Sequence, residues 1–155
     1  MATFVKGDIL NAEHGIIGHA VSCNLALKKG LSKRIKDKYP IVQKDCKEIM
    51  GVLDVKSRLG KCQMIQVKKP LFIANLFVKV GPVIQGMGTI DYNALAIALA
   101  GLRTWRKRVF YPVDYMPIYL PADLGCTPGF DGEWNVVRGI IMSAIPDAVI
   151  VREVL

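Results

Sequence analysis

The chain has 155 residues, is 52% hydrophobic and carries 21 Lys and Arg against 13 Asp and Glu, a formal charge of +8. That length suits one domain with its own core, here taken as residues 1–155. No apolar run reaches the roughly 18 to 20 residues that span a bilayer, and the first residues lack the basic start and long apolar centre of a secretory signal, so the expectation is a soluble cytoplasmic protein with an anionic partner.

Cys23, Cys46, Cys62 and Cys126 are too far apart for a CxxC zinc or redox motif. Free thiols and no metal or cofactor are expected. Nucleic acid is disfavoured as a partner. Lys33-Arg34-Ile35-Lys36-Asp37-Lys38 and Arg103-Thr-Trp-Arg-Lys-Arg108 fall on helices whose other faces are apolar, so solvated helix faces account for most of the charge. No RNA-recognition aromatic motif, zinc finger or basic repeat accompanies them.

In chain order, Thr3–Val5 is a short β-prone stretch leading through Gly7 to Asp8 and Ile9. An Asp there can close a turn or accept from an exocyclic amine, and the local residues favour the turn. Gly15–Val21 has the β-branched, apolar composition of a buried strand, with Ser22-Cys23-Asn24 as its polar exit. His19 inside it reads first as a hydrogen-bonded core residue. After Gly30 the amphipathic helix Leu31–Tyr39 ends at Pro40, and Val42, Cys46 and Met50 share one side of a second helical stretch.

Gly60–Val67 alternates apolar and polar residues, and Leu71–Val78 is apolar nearly throughout, which makes a hairpin-like pair with one central strand. Lys68 and Lys69 belong to the turn between them. Gly81–Gly88 lacks the nucleotide-binding glycine signatures and reads as a flexible connection. Thr89 or Asp91 caps the helix that starts at Tyr92, rich in Ala and Leu. Met116–Leu120 is a strand, Trp134–Ile145 a helix and Ala148–Val154 a final strand.

Between Leu120 and Trp134 lies Pro-Ala-Asp-Leu-Gly-Cys-Thr-Pro-Gly-Phe-Asp-Gly-Glu. Backbone N–H groups around Gly125, Gly129 and Gly132, with the following helix N-terminus, suit an anion such as phosphate. Asp131 reads from this loop alone as a helix cap ahead of a catalytic acid, and Cys126 as a small packed residue ahead of a nucleophile. Strands and helices alternate, which predicts a three-layer α/β/α sandwich on a mixed, largely parallel sheet, with ligands beyond the carboxyl ends of the strands.

Gly7-Asp8-Ile9, the run Gly18-His-Ala-Val-Ser-Cys-Asn24 with Gly30, and Leu120–Trp134 together resemble a macro domain over nearly the whole chain. The likeness is to the stand-alone branch of ADP-ribose-1″-phosphate phosphatases and terminal ADP-ribose protein glycohydrolases, which has phage members. It implies ADP-ribose or ADP-ribose-1″-phosphate as ligand, or an ADP-ribosylated protein. Position by position it implies that Asp8 and the Ile9 backbone hold adenine, that Ser22, Asn24, Gly30 and Leu31 line a first loop by the distal ribose and diphosphate, and that Leu124, Gly125, Cys126, Thr127, Gly129 and Phe130 form a second. Asp131 then falls at a catalytic Asp, with His19 or Asn24 orienting the attacked group. The activity it implies first is removal of the terminal phosphate. Alternatives are a hydrolase freeing modified acidic side chains, with Lys68 loosely matching its adduct-forming lysine, and a reader that binds without turnover. The asparagine-rich NAAN element and triple glycine of many macro domains are absent, with Lys28-Lys29-Gly30 in their place.

Overall fold

The computed structural model describes residues 2–28, 30–84, 87–110, 116–125 and 132–154. In chain order the elements are β1 (Thr3–Gly7), β2 (Gly15–Ser22), α1 (Gly30–Lys38), α2 (Ile41–Asp45), which widens into a π turn over Cys46–Met50, and α3 (Val55–Arg58). There follow β3 (Cys62–Lys68), β4 (Leu71–Ile84), β5 (Met87–Ile90), α4 (Tyr92–Val109), β6 (Ile118–Pro121), α5 (Trp134–Ala144) and β7 (Val149–Glu153), with 3-10 turns at Ile9–Asn11 and Ala122–Gly125.

The strands form one sheet in the order β1-β7-β6-β2-β4-β3, and β5 also pairs with β4. The five strands from β1 to β4 in that order run parallel; β3 and β5 are antiparallel to β4. This is the mixed, largely parallel sheet expected from the alternating elements. Its two faces carry two cores, as side chains alternate along each strand. On one face Ile16, Leu76, Val78 and Ile118 pack with Leu95, Leu99 and Leu102 of α4 and Val137 and Ile141 of α5. On the other, Ile17, Val21, Ile73 and Phe77 pack with Ile35 of α1 and with Val42, Cys46 and Met50. Those last three are the stripe expected from their spacing, and all are buried.

Asp91 caps α4, its carboxylate accepting from the Ala94 N–H at 2.8 Å. Two expectations are corrected. Residues 81–84 and 87–88, expected to be a flexible connection, belong instead to β4 and β5, paired through Val80 with Thr89 and Ile84 with Met87. The ladder is made by backbone groups, so a glycine-rich stretch can enter it without an alternating side-chain pattern to announce it. Arg106, expected on a solvated helix face, is buried. Its guanidinium donates to both oxygens of Asp147 at 2.9 Å and to the Met116 carbonyl at 3.3 Å, tying α4 to the segments entering β6 and β7. A bidentate pair of this kind offsets much of the cost of burying an arginine, although Nε makes no hydrogen bond among the described residues.

Gly15 opens β2 at φ +112°, and a Cβ there would lie 2.6 Å from the Pro117 carbonyl oxygen. Exposed Gly139 in α5 has nothing within 4 Å of its would-be Cβ. Gly15→Ala is expected to lower unfolding stability by roughly 1–3 kcal/mol, whereas Gly139→Ala should raise it by up to about 1 kcal/mol. Urea denaturation of the two variants beside the wild type measures both.

Candidate functional site

Because β1, β7, β6 and β2 are parallel, their carboxyl ends, Gly7, Glu153, Pro121 and Ser22, fall on one edge of the sheet. The register of Ser22 opposite Lys79 brings the middle of β4 to the same edge. Asp8, Ile9, Ser22, Asn24, Leu124 and Gly125 all follow these strand ends, and Gly30 and Leu31 open α1 beside them. Cys126, Thr127, Gly129, Phe130 and Asp131 lie outside the described residues. The helix after that segment has Glu133 at its N-cap position, with no side-chain cap hydrogen bond.

At the end of β2 the chain turns tightly. Leu25 N–H donates to the Ser22 carbonyl at 2.9 Å, and Ala26 N–H donates to Asn24 Oδ1 at 2.8 Å. Asn24 is exposed, and since its oxygen closes this turn, its amide NH₂ is the end left to meet a ligand. Leu25 and Leu27 are buried and strap the loop down. Gly30, the first residue of α1, takes φ +56°, a left-handed conformation suited to glycine. At the end of β6 two non-glycine residues in succession, Asp123 (φ 63°) and Leu124 (φ 46°), are left-handed, and Leu124 is buried. Such backbone is held only where surrounding contacts enforce it, which is common at ligand-binding loops.

Asp8 caps the first 3-10 turn through Leu10 N–H at 2.9 Å and pairs with Arg34 of α1 at 2.6 Å. Both bonds use Oδ1. Partial burial pushes this carboxyl up, but the Leu10 N–H and the Arg34 guanidinium outweigh it and hold Asp8 below its ordinary value. Beside it, Glu153 Oε1 accepts from Ile9 N–H at 3.4 Å. Its Oε2 lies 3.5 Å from Arg34 Nη1 and makes no hydrogen bond among the described residues. Burial pushes the Glu153 carboxyl up, against the pull of Arg34 and the Ile9 N–H. Arg34 and Glu153 are site residues that the sequence reading passed over. An acid ending a strand opposite Gly7 is the signal that could have marked Glu153.

His19 does not reach the sheet edge. It is 1% exposed, with Nδ1 2.8 Å from Ser32 Oγ and Nε2 2.5 Å from Asn75 Oδ1. Burial, with a smaller contribution from the Lys79 charge, lowers its pKa to about 4 against the opposing Asn75 bond, so the ring is neutral. With both nitrogens engaged, it does not orient an attacked group; the core reading made from its strand context stands. Lys68 is also misplaced for chemistry at this edge. It ends β3 opposite Leu71, which pairs with Gly15 at the start of β2, and it binds Glu13 at 2.6 Å. From Gly15 to Ser22 is seven residue steps, about 23 Å along a strand. The lysine whose backbone stands opposite Ser22 is Lys79. Cys23, Cys46 and Cys62 are free, and burial pushes all three thiols up, Cys46 to about 11 and Cys62 to about 12, which leaves them protonated and unreactive. Among the described residues no helix is long and apolar enough to cross a membrane.

No family model and no curated protein matches the chain. Solved structures do match. A macrodomain protein from Streptomyces coelicolor has a TM-score of 0.74 at 18% identity, covering 100% of both chains. The macrodomain of Thermus aquaticus DarG has a TM-score of 0.76 at 19% identity over 99% of both chains. A Trypanosoma brucei macrodomain in complex with ADP-ribose has a TM-score of 0.61 at 13% identity, over 98% of this chain and 63% of that one. The chain has the macro domain fold.

Unfolded, His19 titrates near 6.5; folded, near 4. Between those values the unfolded chain takes up a proton that the folded chain refuses, so unfolding stability should fall by a few kcal/mol as pH drops from about 6.5 towards 4. Denaturant unfolding at a series of pH values measures that slope, and His19→Gln should flatten it.

Proposed function

We propose that the protein binds ADP-ribose at the carboxyl edge of its sheet and hydrolyses ADP-ribose-1″-phosphate to ADP-ribose and phosphate. The observation that carries the reading is the convergence of Asp8, Ser22, Asn24 and Leu124 on one sheet edge, in a fold shared with a macrodomain bound to ADP-ribose. Asp8 Oδ2, unused by the Leu10 and Arg34 bonds, takes the adenine amine. The diphosphate runs between the loop at Asn24–Leu31 and the loop that starts at Leu124. Asn24 offers its amide NH₂ to the terminal phosphate, and Asp131 takes the proton from the attacking water. The water oxygen bonds to phosphorus, the bond from phosphorus to the 1″ oxygen breaks, and that oxygen takes a proton from solvent water and leaves as the ribose hydroxyl. The excess of basic residues favours a ligand carrying several negative charges.

A second reading, release of ADP-ribose from modified acidic side chains, is favoured by one observation. Such chemistry through a lysine adduct has no use for Lys68, about 23 Å away along β2, whereas Lys79 stands opposite Ser22.

Purified protein incubated with ADP-ribose-1″-phosphate should release phosphate, and Asp131→Ala should slow release by at least about 100-fold, within the range for a lost acid or base. Lys79→Ala should leave it within a few-fold. If instead only ADP-ribosylated protein is turned over and Lys79→Ala abolishes that turnover, the second reading holds. Binding of ADP-ribose without turnover of either substrate would make the protein a reader.

A further inference from the structure

His19, Asn75 and Gln63 sit at the same register in the neighbouring strands β2, β4 and β3, on the face covered by α1 and α2. His19 and Asn75 are fully buried, and Gln63 nearly so. Their side chains make one continuous series: Gln63 Nε2 donates to the Asp45 carbonyl at 3.2 Å, Asn75 Nδ2 donates to Gln63 Oε1 at 3.1 Å, and Asn75 Oδ1 meets His19 Nε2. Ser32 Oγ, in the first turn of α1, meets His19 Nδ1 at the other end.

The direction of every bond follows from one group. A backbone carbonyl can only accept, so Gln63 must present its NH₂ to Asp45 and its oxygen to Asn75. Asn75 must then donate to Gln63 and accept from His19, which fixes the proton on Nε2. A neutral imidazole with Nε2–H has a bare Nδ1, so the Ser32 hydroxyl must donate to it. The other acceptor within reach of that hydroxyl, the Ala20 carbonyl, is farther away at 3.4 Å.

We infer that this relay makes Ser32 a positioning residue: the carbonyl at the end of α2 orders the Ser32 hydroxyl through Gln63, Asn75 and His19, and so sets the first turn of α1 against the strand that carries Ser22 and Asn24. The sheet-facing side of α1 otherwise holds to the protein through buried Ile35 and half-buried Leu31, while Arg34 and Lys38 tie its flank to Asp8 and the Leu10 carbonyl. Apart from the undirected apolar contact of Leu31, those contacts lie in the later turns of the helix. Ser32 supplies the directed, hydrogen-bonded anchor of the first turn, where Gly30 and Leu31 follow the Asn24 loop. The inference rests on the proposed ADP-ribose site only for its functional consequence.

The test has a part that needs no ligand. Long-range proton–nitrogen NMR spectra of the folded protein should show His19 as the Nε2–H tautomer, and Ser32→Ala should speed amide exchange at Arg34, Ile35 and Lys36, which close the first turn, with Ser32→Thr restoring the wild-type rates. An Nδ1–H tautomer, or unchanged exchange in Ser32→Ala, would overturn the relay. Calorimetry with ADP-ribose, well below the melting temperature, should then give roughly tenfold weaker binding for Ser32→Ala, an order set by loss of one buried hydrogen bond, and near wild-type binding for Ser32→Thr. A lowered melting temperature with unchanged affinity would reduce Ser32 to a structural residue and sink the positioning role. Failure of the wild type to bind ADP-ribose would overturn the proposed function, while the tautomer and exchange would still decide the relay.

Discussion

The structure depends on the burial of β2. It lies between β6 and β4, with helices packed over both faces, and from Gly15 to His19 every residue is buried. Water cannot reach this stretch, so each polar atom on it must find a partner within the protein or cost several kcal/mol. Gly18 shows how tight the space is: a Cβ there would come within 2.6 Å of the Leu120 side chain across the sheet. His19 is the exception to an apolar strand, and the chain meets its demand sideways, with a polar residue at the same register in each of the next two strands.

That solution ties distant elements together. The hydrogen-bond series begins at a carbonyl ending α2 and finishes at a hydroxyl in α1, so two helices on the same face share a polar seam beneath their apolar contacts. Apolar packing alone tolerates small shifts, because it has no preferred direction. A directed series does not, since a helix displaced by an ångström leaves a buried donor or acceptor without its partner. The same logic holds on the other face, where the Arg106 guanidinium fixes α4 against the segments leading into β6 and β7.

Rigid strands beneath and strained loops above is the arrangement the proposed function needs. The parallel strands deliver Asp8, Ser22 and Leu124 to one edge, where Leu25, Asp123 and Leu124 hold left-handed backbone that non-glycine residues avoid. The packing of Leu25 and Leu124 into the cores supplies what that conformation costs. An anion at this edge would meet backbone already set at Leu25, Asp123 and Leu124, which lowers the entropic cost of association.

Much of this was legible in the sequence because it rests on local pattern. The β-branched run of β2, the Val42, Cys46, Met50 spacing and the Ala-rich α4 each declare an element and its buried side within a dozen residues, and their alternation implies a largely parallel sheet. Asp8, Ser22 and Asn24 were marked as ligand-facing only by the resemblance of their motifs to a macro domain; local pattern read them as a turn and a polar strand exit. What the sequence could not decide was pairing. Lys68 and Lys79 are both lysines beside apolar strand residues; only the register puts one opposite Leu71 and the other opposite Ser22. Nor does a pattern of residues reveal that residues 81–84 and 87–88 belong to strands paired through backbone groups, or that Arg106 folds inward to an acid 41 residues away. The amino-acid order thus determined the elements and their buried faces, since these follow from short-range periodicity. Which polar groups meet was decided only by the tertiary structure, because hydrogen bonds depend on distances across strands that no local window contains.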